Sequence, residues 1–83
     1  MMGDSGFGAS LVRHALFAIR EVQLKGDTQD ARNYLHSDVP NYWGQRKSLV
    51  VILRHLASME LHSENWKDDG HAAALLAGAV END

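Results

Sequence analysis

The amino-acid sequence predicts an all-α domain, a compact bundle of about four helices with short connections. Three observations carry that expectation. Apolar residues recur at three- and four-residue intervals over 11–22, 49–59 and 72–80, the period of helices that bury one face. No stretch alternates apolar and polar residues between turn residues, as a half-buried strand would. Gly26 and Pro40, the single proline of the chain, punctuate the intervals between the periodic stretches.

Length and composition agree with this. A chain of 83 residues is one domain, and it buries roughly 60% of the surface that its unfolded form exposes. With 45% hydrophobic and 23% charged residues it has a globular composition. Without cysteine it has no disulfide framework and no thiolate metal site. A net charge of −3 speaks against a domain whose whole surface holds phosphate, but leaves room for a local basic stripe. No apolar run reaches the roughly 18–20 residues of a membrane span. The start, Met1-Met2-Gly3-Asp4, lacks the basic and apolar regions of a secretory signal. A cytoplasmic protein is expected, and the doubled methionine reads as an added start ahead of a segment of a longer protein.

Residues 1–9, rich in glycine and small polar side chains, are expected as a flexible leader to a single helical domain over 10–83. Ser10 is placed to cap a first helix ending near Lys25. There Leu11, Val12, Ala15, Leu16, Ala18, Ile19 and Val22 share a stripe about 160° wide. Gly26, after a cationic last turn, has the position of a helix-terminating glycine. Asp27 or Thr28 then caps a short helix over 28–36, with Ala31, Tyr34 and Leu35 as its apolar edge. Pro40 biases Val39 toward extended backbone. Residues 41–44 are expected as one short turn, followed by a long helix over 45–59 on which Leu49, Ile52, Leu53, Leu56 and Met59 recur at three and four residues. Of the adjacent aromatics, Trp43 is expected to be the buried anchor and Tyr42 the wetter partner. Residues 61–68 read as a loop. Asp68 or Asp69 caps a last helix whose stripe is Ala72, Leu75, Leu76, Ala79 and Val80. Leu16, Ile19, Leu53, Leu56 and Leu76, each placed mid-stripe, are expected to pack together.

Nothing in the sequence suggests a catalytic, cofactor or metal site. The five histidines include no pair one turn apart, which a zinc site on a helix usually needs. Asp68-Asp69 is accounted for by a helix start. The serines form no nucleophile elbow, and Gly6-Phe7-Gly8 lacks the strand and the third glycine of a dinucleotide loop. Two surfaces stand out instead. Phe17 and Leu24, seven residues apart, project opposite the apolar stripe of the first helix between Arg13 and Arg20, a candidate protein contact unless the second helix folds over them. Arg46, Lys47 and Arg54, beside Val51 and His55 and with Tyr42 and Trp43 as possible stacking groups, form a candidate nucleic-acid contact. A solvated charged face, with the two aromatics plugging the helix junction, is the simpler explanation of this second set.

The order of features has a likeness. Leu11-x-Arg13, Phe17-Ala18-Ile19-Arg20-Glu21, Gly26-Asp27 and Val39-Pro40-x-Tyr42-Trp43 come first. Arg46, Leu49 and Leu53-x-x-Leu56-Ala57 follow, then Trp66, Ala72-Ala73 and Leu76-Ala77-Gly78-Ala79-Val80-Glu81-Asn82. Over about Ser10 to Asp83, this resembles the helical C-terminal region of large prokaryotic adenine-specific DNA methylases, whose N-terminal part is a domain of unknown function. Such an enzyme transfers a methyl group from S-adenosylmethionine to adenine N6, with an Asn/Asp-Pro-Pro-Tyr/Phe motif and a glycine loop. Neither motif is in this chain, where Asn41 follows the single Pro40, so no catalytic residue carries over. The resemblance implies a non-catalytic accessory or interaction domain that docks on its parent protein or a partner subunit. The alternatives are a free-standing homodimerising module and a small helical DNA-binding domain.

Overall fold

Helices α1 (Met2–Lys25), α2 (Gln29–Asp38), α3 (Tyr42–Ser58) and α4 (Asp69–Glu81) follow one another in a computed structural model that describes residues 2–59 and 69–83. No strand occurs among the described residues. The all-α bundle is therefore the architecture of the chain. Its Cα radius of gyration, 12.1 Å, is close to the ~12 Å of a globule of this length. No helix among the described residues is long and apolar enough to cross a membrane.

Local chemistry places each boundary. The α1 backbone is helical from Met2, so Ser10 lies inside the helix rather than capping it, and the stretch expected as a leader continues the same element. No proline interrupts 2–25, and glycines weaken a helix by about 1 kcal/mol each without removing an N–H donor. Gly26 ends α1 as expected. It takes φ +81° and its N–H donates to the Val22 carbonyl at 2.8 Å, a left-handed stop that glycine adopts without strain. Asp27, not Thr28, makes the side-chain cap of α2, its Oδ1 accepting from the Gln29 N–H at 3.0 Å. Val39 is extended ahead of Pro40, and Asn41 is left-handed at φ 52°. The break between α2 and α3 is thereby confined to Val39–Asn41, and the expected short turn is the first turn of α3. The Gln45 N–H bonds to the Asn41 carbonyl at 3.1 Å, and its side-chain amide donates to the Pro40 carbonyl. The loop expected over 61–68, with Trp66, His62 and the Asp68 cap, lies outside the described residues.

The core runs through the middle of the bundle, with α4 packed most extensively on α3 and α1 braced by α2 and α4. Ile19, Leu35, Leu49, Leu53, Leu76 and Val80 are fully enclosed. Of the five residues expected to pack together, Ile19, Leu53, Leu56 and Leu76 belong to the core, but Leu16 is 39% exposed. The reason is angular. At 100° per residue the buried residues Leu11, Ala15, Ala18, Ile19 and Val22 span only about 100°, and Leu16 falls beyond their edge. Helix α4 is rotated from its expected phase in the same way: Ala73 and Ala77 are buried, whereas Leu75 is exposed. A methyl group built on Gly70 would sit 3.0 Å from the Ala57 carbonyl oxygen. Small side chains thus bring α4 close against α3 and leave the bulkier Leu75 outside.

Candidate functional site

Helix α1 turns its core stripe inward and therefore presents Arg13, Phe17, Arg20 and Leu24 outward. These residues, spaced by four, three and four, occupy one sector about 40–60° wide on the opposite side. Phe17 is 53% exposed and Leu24 69%. Helix α2 does fold back on α1, but it covers only the flank of this sector. The Tyr34 ring lies 5.2 Å from that of Phe17, and the Tyr34 hydroxyl shares a 2.8 Å hydrogen bond with His14 Nδ1. Burial, and then the nearby charge of Asp38, push the Tyr34 phenol above its ordinary value. Leu16, displaced from the core, lies at the edge of the same face. Arg13 and Arg20 are both exposed, so an apolar pair framed by arginines reaches solvent as the spacing predicted.

The second surface departs from expectation. Tyr42, not Trp43, is the buried aromatic: Tyr42 is 4% exposed and Trp43 61%. Because α3 begins at Tyr42, that residue falls into phase with Leu49, Leu53 and Leu56, at seven, eleven and fourteen residues. Trp43, turned by about 100°, points outward. The Arg46 guanidinium sits 5.7 Å from the indole centroid, within cation–π range. Arg46 and Lys47 line a shallow groove with Val50, Val51 and Glu81. Arg54, the third expected cation, is ion-paired with Glu81 across to α4. The three basic residues are thus brought to one side of α3, with one of them neutralised.

A third constellation was not expected from the sequence. Asp83, just past α4, reaches across to the α2–α3 junction. Its Oδ2 accepts from the Tyr42 hydroxyl at 2.6 Å and from His36 Nε2 at 2.7 Å, while Arg32 approaches Oδ1 at 3.7 Å. The His36 ring lies 4.1 Å from Tyr42 and 5.1 Å from Trp43, centroid to centroid. Burial raises the Asp83 carboxyl, but the hydrogen bonds from Tyr42 and His36, with the charges of His36 and Arg32, outweigh it and hold the carboxyl below its ordinary value. Burial first, then the bond to Asp83 and its charge, push the Tyr42 phenol far above the usual tyrosine range. The one legible signal was the seven-, eleven- and fourteen-residue spacing that puts Tyr42 on the core stripe. A carboxylate 47 residues from its histidine leaves no local trace. This arrangement ties helices together through the Tyr42 and His36 bonds to Asp83, while the buried Arg32 Nε makes no hydrogen bond among the described residues.

Among the described residues, no group of three or more His, Cys, Asp or Glu side chains is placed to hold a metal ion. No protein-family model, curated protein or solved structure matches this chain.

Proposed function

We propose that this is a non-catalytic helical accessory domain that works by protein contact. In this reading it docks through the outer face of α1 onto the body of a larger DNA-modifying protein of the adenine-methylase kind it resembles. One observation carries the contact reading: Phe17 and Leu24 stay 53% and 69% exposed on a helix whose opposite face is dry. Single exposed apolar residues are ordinary, but an aromatic and a leucine aligned on one helix face between two arginines have the composition of a binding hot spot. The parent enzyme rests on the resemblance alone.

The test separates folding from association. Changing Phe17 and Leu24 together to Ser should move the thermal midpoint by only a few degrees. Association with the catalytic portion of the parent polypeptide, followed by sedimentation, should weaken by roughly tenfold or more. Growth in size with concentration of the chain alone, lost in the same variant, would assign the face to a homodimer instead. If the variant unfolds while association per folded molecule is unchanged, the pair serves stability and the contact reading fails.

A further inference from the structure

Charge is distributed unevenly over the four helices. Helix α3 carries Arg46, Lys47 and Arg54 and no carboxylate, whereas each of the other three helices carries at least one, in a chain of net charge −3. On its outer side Trp43 is 61% and Val51 66% exposed. Trp43, Lys47 and Arg54 fall within a sector about 40° wide, with Val50 at its border and the half-buried Arg46 about 60° from its edge, toward the core.

We propose that this face of α3 binds single-stranded nucleic acid, with a base stacked on Trp43 and the flanking phosphates held by Arg46 and Lys47. The indole is supported from within rather than sandwiched. Tyr42 and His36 meet it at 80° and 66°, both at 5.1 Å, and with the residue 61% exposed part of the indole is left to a flat partner. Arg46 lies over the ring at 5.7 Å from its centroid, a cation–π contribution of the kind that single-strand binders combine with base stacking. Lys47 lies one turn further along the same sector and makes no ion pair among the described residues. Arg54 is held by Glu81, which limits the phosphates engaged to about two. An acidic polypeptide would meet the same cations but offers no ring to the indole. A duplex keeps its bases stacked on each other, so an unpaired strand fits this surface better.

The probe is an oligothymidylate, titrated into the full chain carrying Trp66→Phe so that emission reports Trp43 alone. Binding is measured in parallel by anisotropy of the labelled oligonucleotide. Quenching of Trp43 is expected, with log K falling against log[salt] at a slope of about −1.4 for roughly two phosphates. Trp43→Leu should weaken binding roughly 5- to 150-fold, as the loss of one stacked base does. Lys47→Ala should flatten the slope by about 0.7. Phe17→Ser with Leu24→Ser should leave binding unchanged, so that this proposal and the protein-contact reading of α1 fail separately. Equal affinity for polyglutamate would overturn the proposal in favour of an acidic polypeptide. Duplex bound as tightly as single strand, or no binding at low ionic strength, would overturn it outright.

Discussion

Replacing Asp83 by Ala removes the acceptor that Tyr42 and His36 share, and its effect can be worked from the contacts. Tyr42 is 4% exposed, so its hydroxyl loses a charge-assisted bond of 2.6 Å with little water to replace it, a loss of about 1.5–3 kcal/mol. The His36 and Arg32 side chains are 35% and 31% exposed; solvent screens them, and together they add about 0.5 kcal/mol. A total of about 2–3.5 kcal/mol is a large part of the roughly 4–12 kcal/mol available to a domain of this length. The melting temperature should fall by roughly 10–20 °C. The acid limb supplies the sign. A carboxyl held below its ordinary 3.8 contributes its full stability above that value and loses it as the pH falls through the lower folded-state value. Guanidinium chloride unfolding of wild type and Asp83→Ala, followed by circular dichroism across this range, should show a gap at neutral pH that closes in acid. A neutral-pH gap below about 0.5 kcal/mol, or one that persists in strong acid, would refute the reasoning.

Three further outcomes follow from the same structure. Leu53, fully buried, should lose about 2–5 kcal/mol on change to Ala, while Leu16→Ala should lose less than about 1 kcal/mol; equal shifts in urea midpoints would return Leu16 to the core. Tyr42 is held neutral, so its contribution is complete below the ordinary tyrosine value of 10.0 and is lost as the pH rises beyond it. Tyr42→Phe should therefore flatten the alkaline limb of the stability profile, leaving the residual slope to Tyr34, and an unaltered limb would contradict this. Gly26→Ala meets no atom within 4 Å but must hold φ +81°, so it should cost about 1–2 kcal/mol in backbone strain alone. Asn at the same position should be milder, and a neutral Ala variant would mean that the α1 terminus has another way to turn.

The helices themselves were legible because their signals are local: Gly26 after Lys25, Pro40 after Val39, and leucines at helical spacing. Their phase was less so. Beginning the third helix at Gln45 severs Tyr42 from the stripe of Leu49, Leu53 and Leu56; beginning it at Tyr42 restores the spacing and reverses the roles of the two aromatics. An apolar stripe also reads wider than the face a small bundle can cover, which is why Leu16 and Leu75 looked internal. Which side of α4 is buried depends on how near α3 comes, and that distance is set by the small residues of both helices together. The outward pair Phe17 and Leu24 was visible from α1 alone, since residues opposite a dry stripe have nowhere else to point. Asp83 was invisible, because a single carboxylate acquires its partners only when α2, α3 and the end of α4 meet.

The close contact between α3 and α4 has an entropic side. Ala72, Ala73 and Ala77 form much of the buried ridge of α4, with Leu76 and Val80 as its larger members. Alanine has no rotamers to lose, whereas each buried leucine gives up about 0.5–1 kcal/mol of side-chain freedom. Over most of its dry surface, α4 thus gains dispersion contacts while immobilising little beyond its backbone. A larger apolar residue at Ala73 or Ala77 would add surface to bury, yet would both widen the gap and introduce torsions that must be frozen.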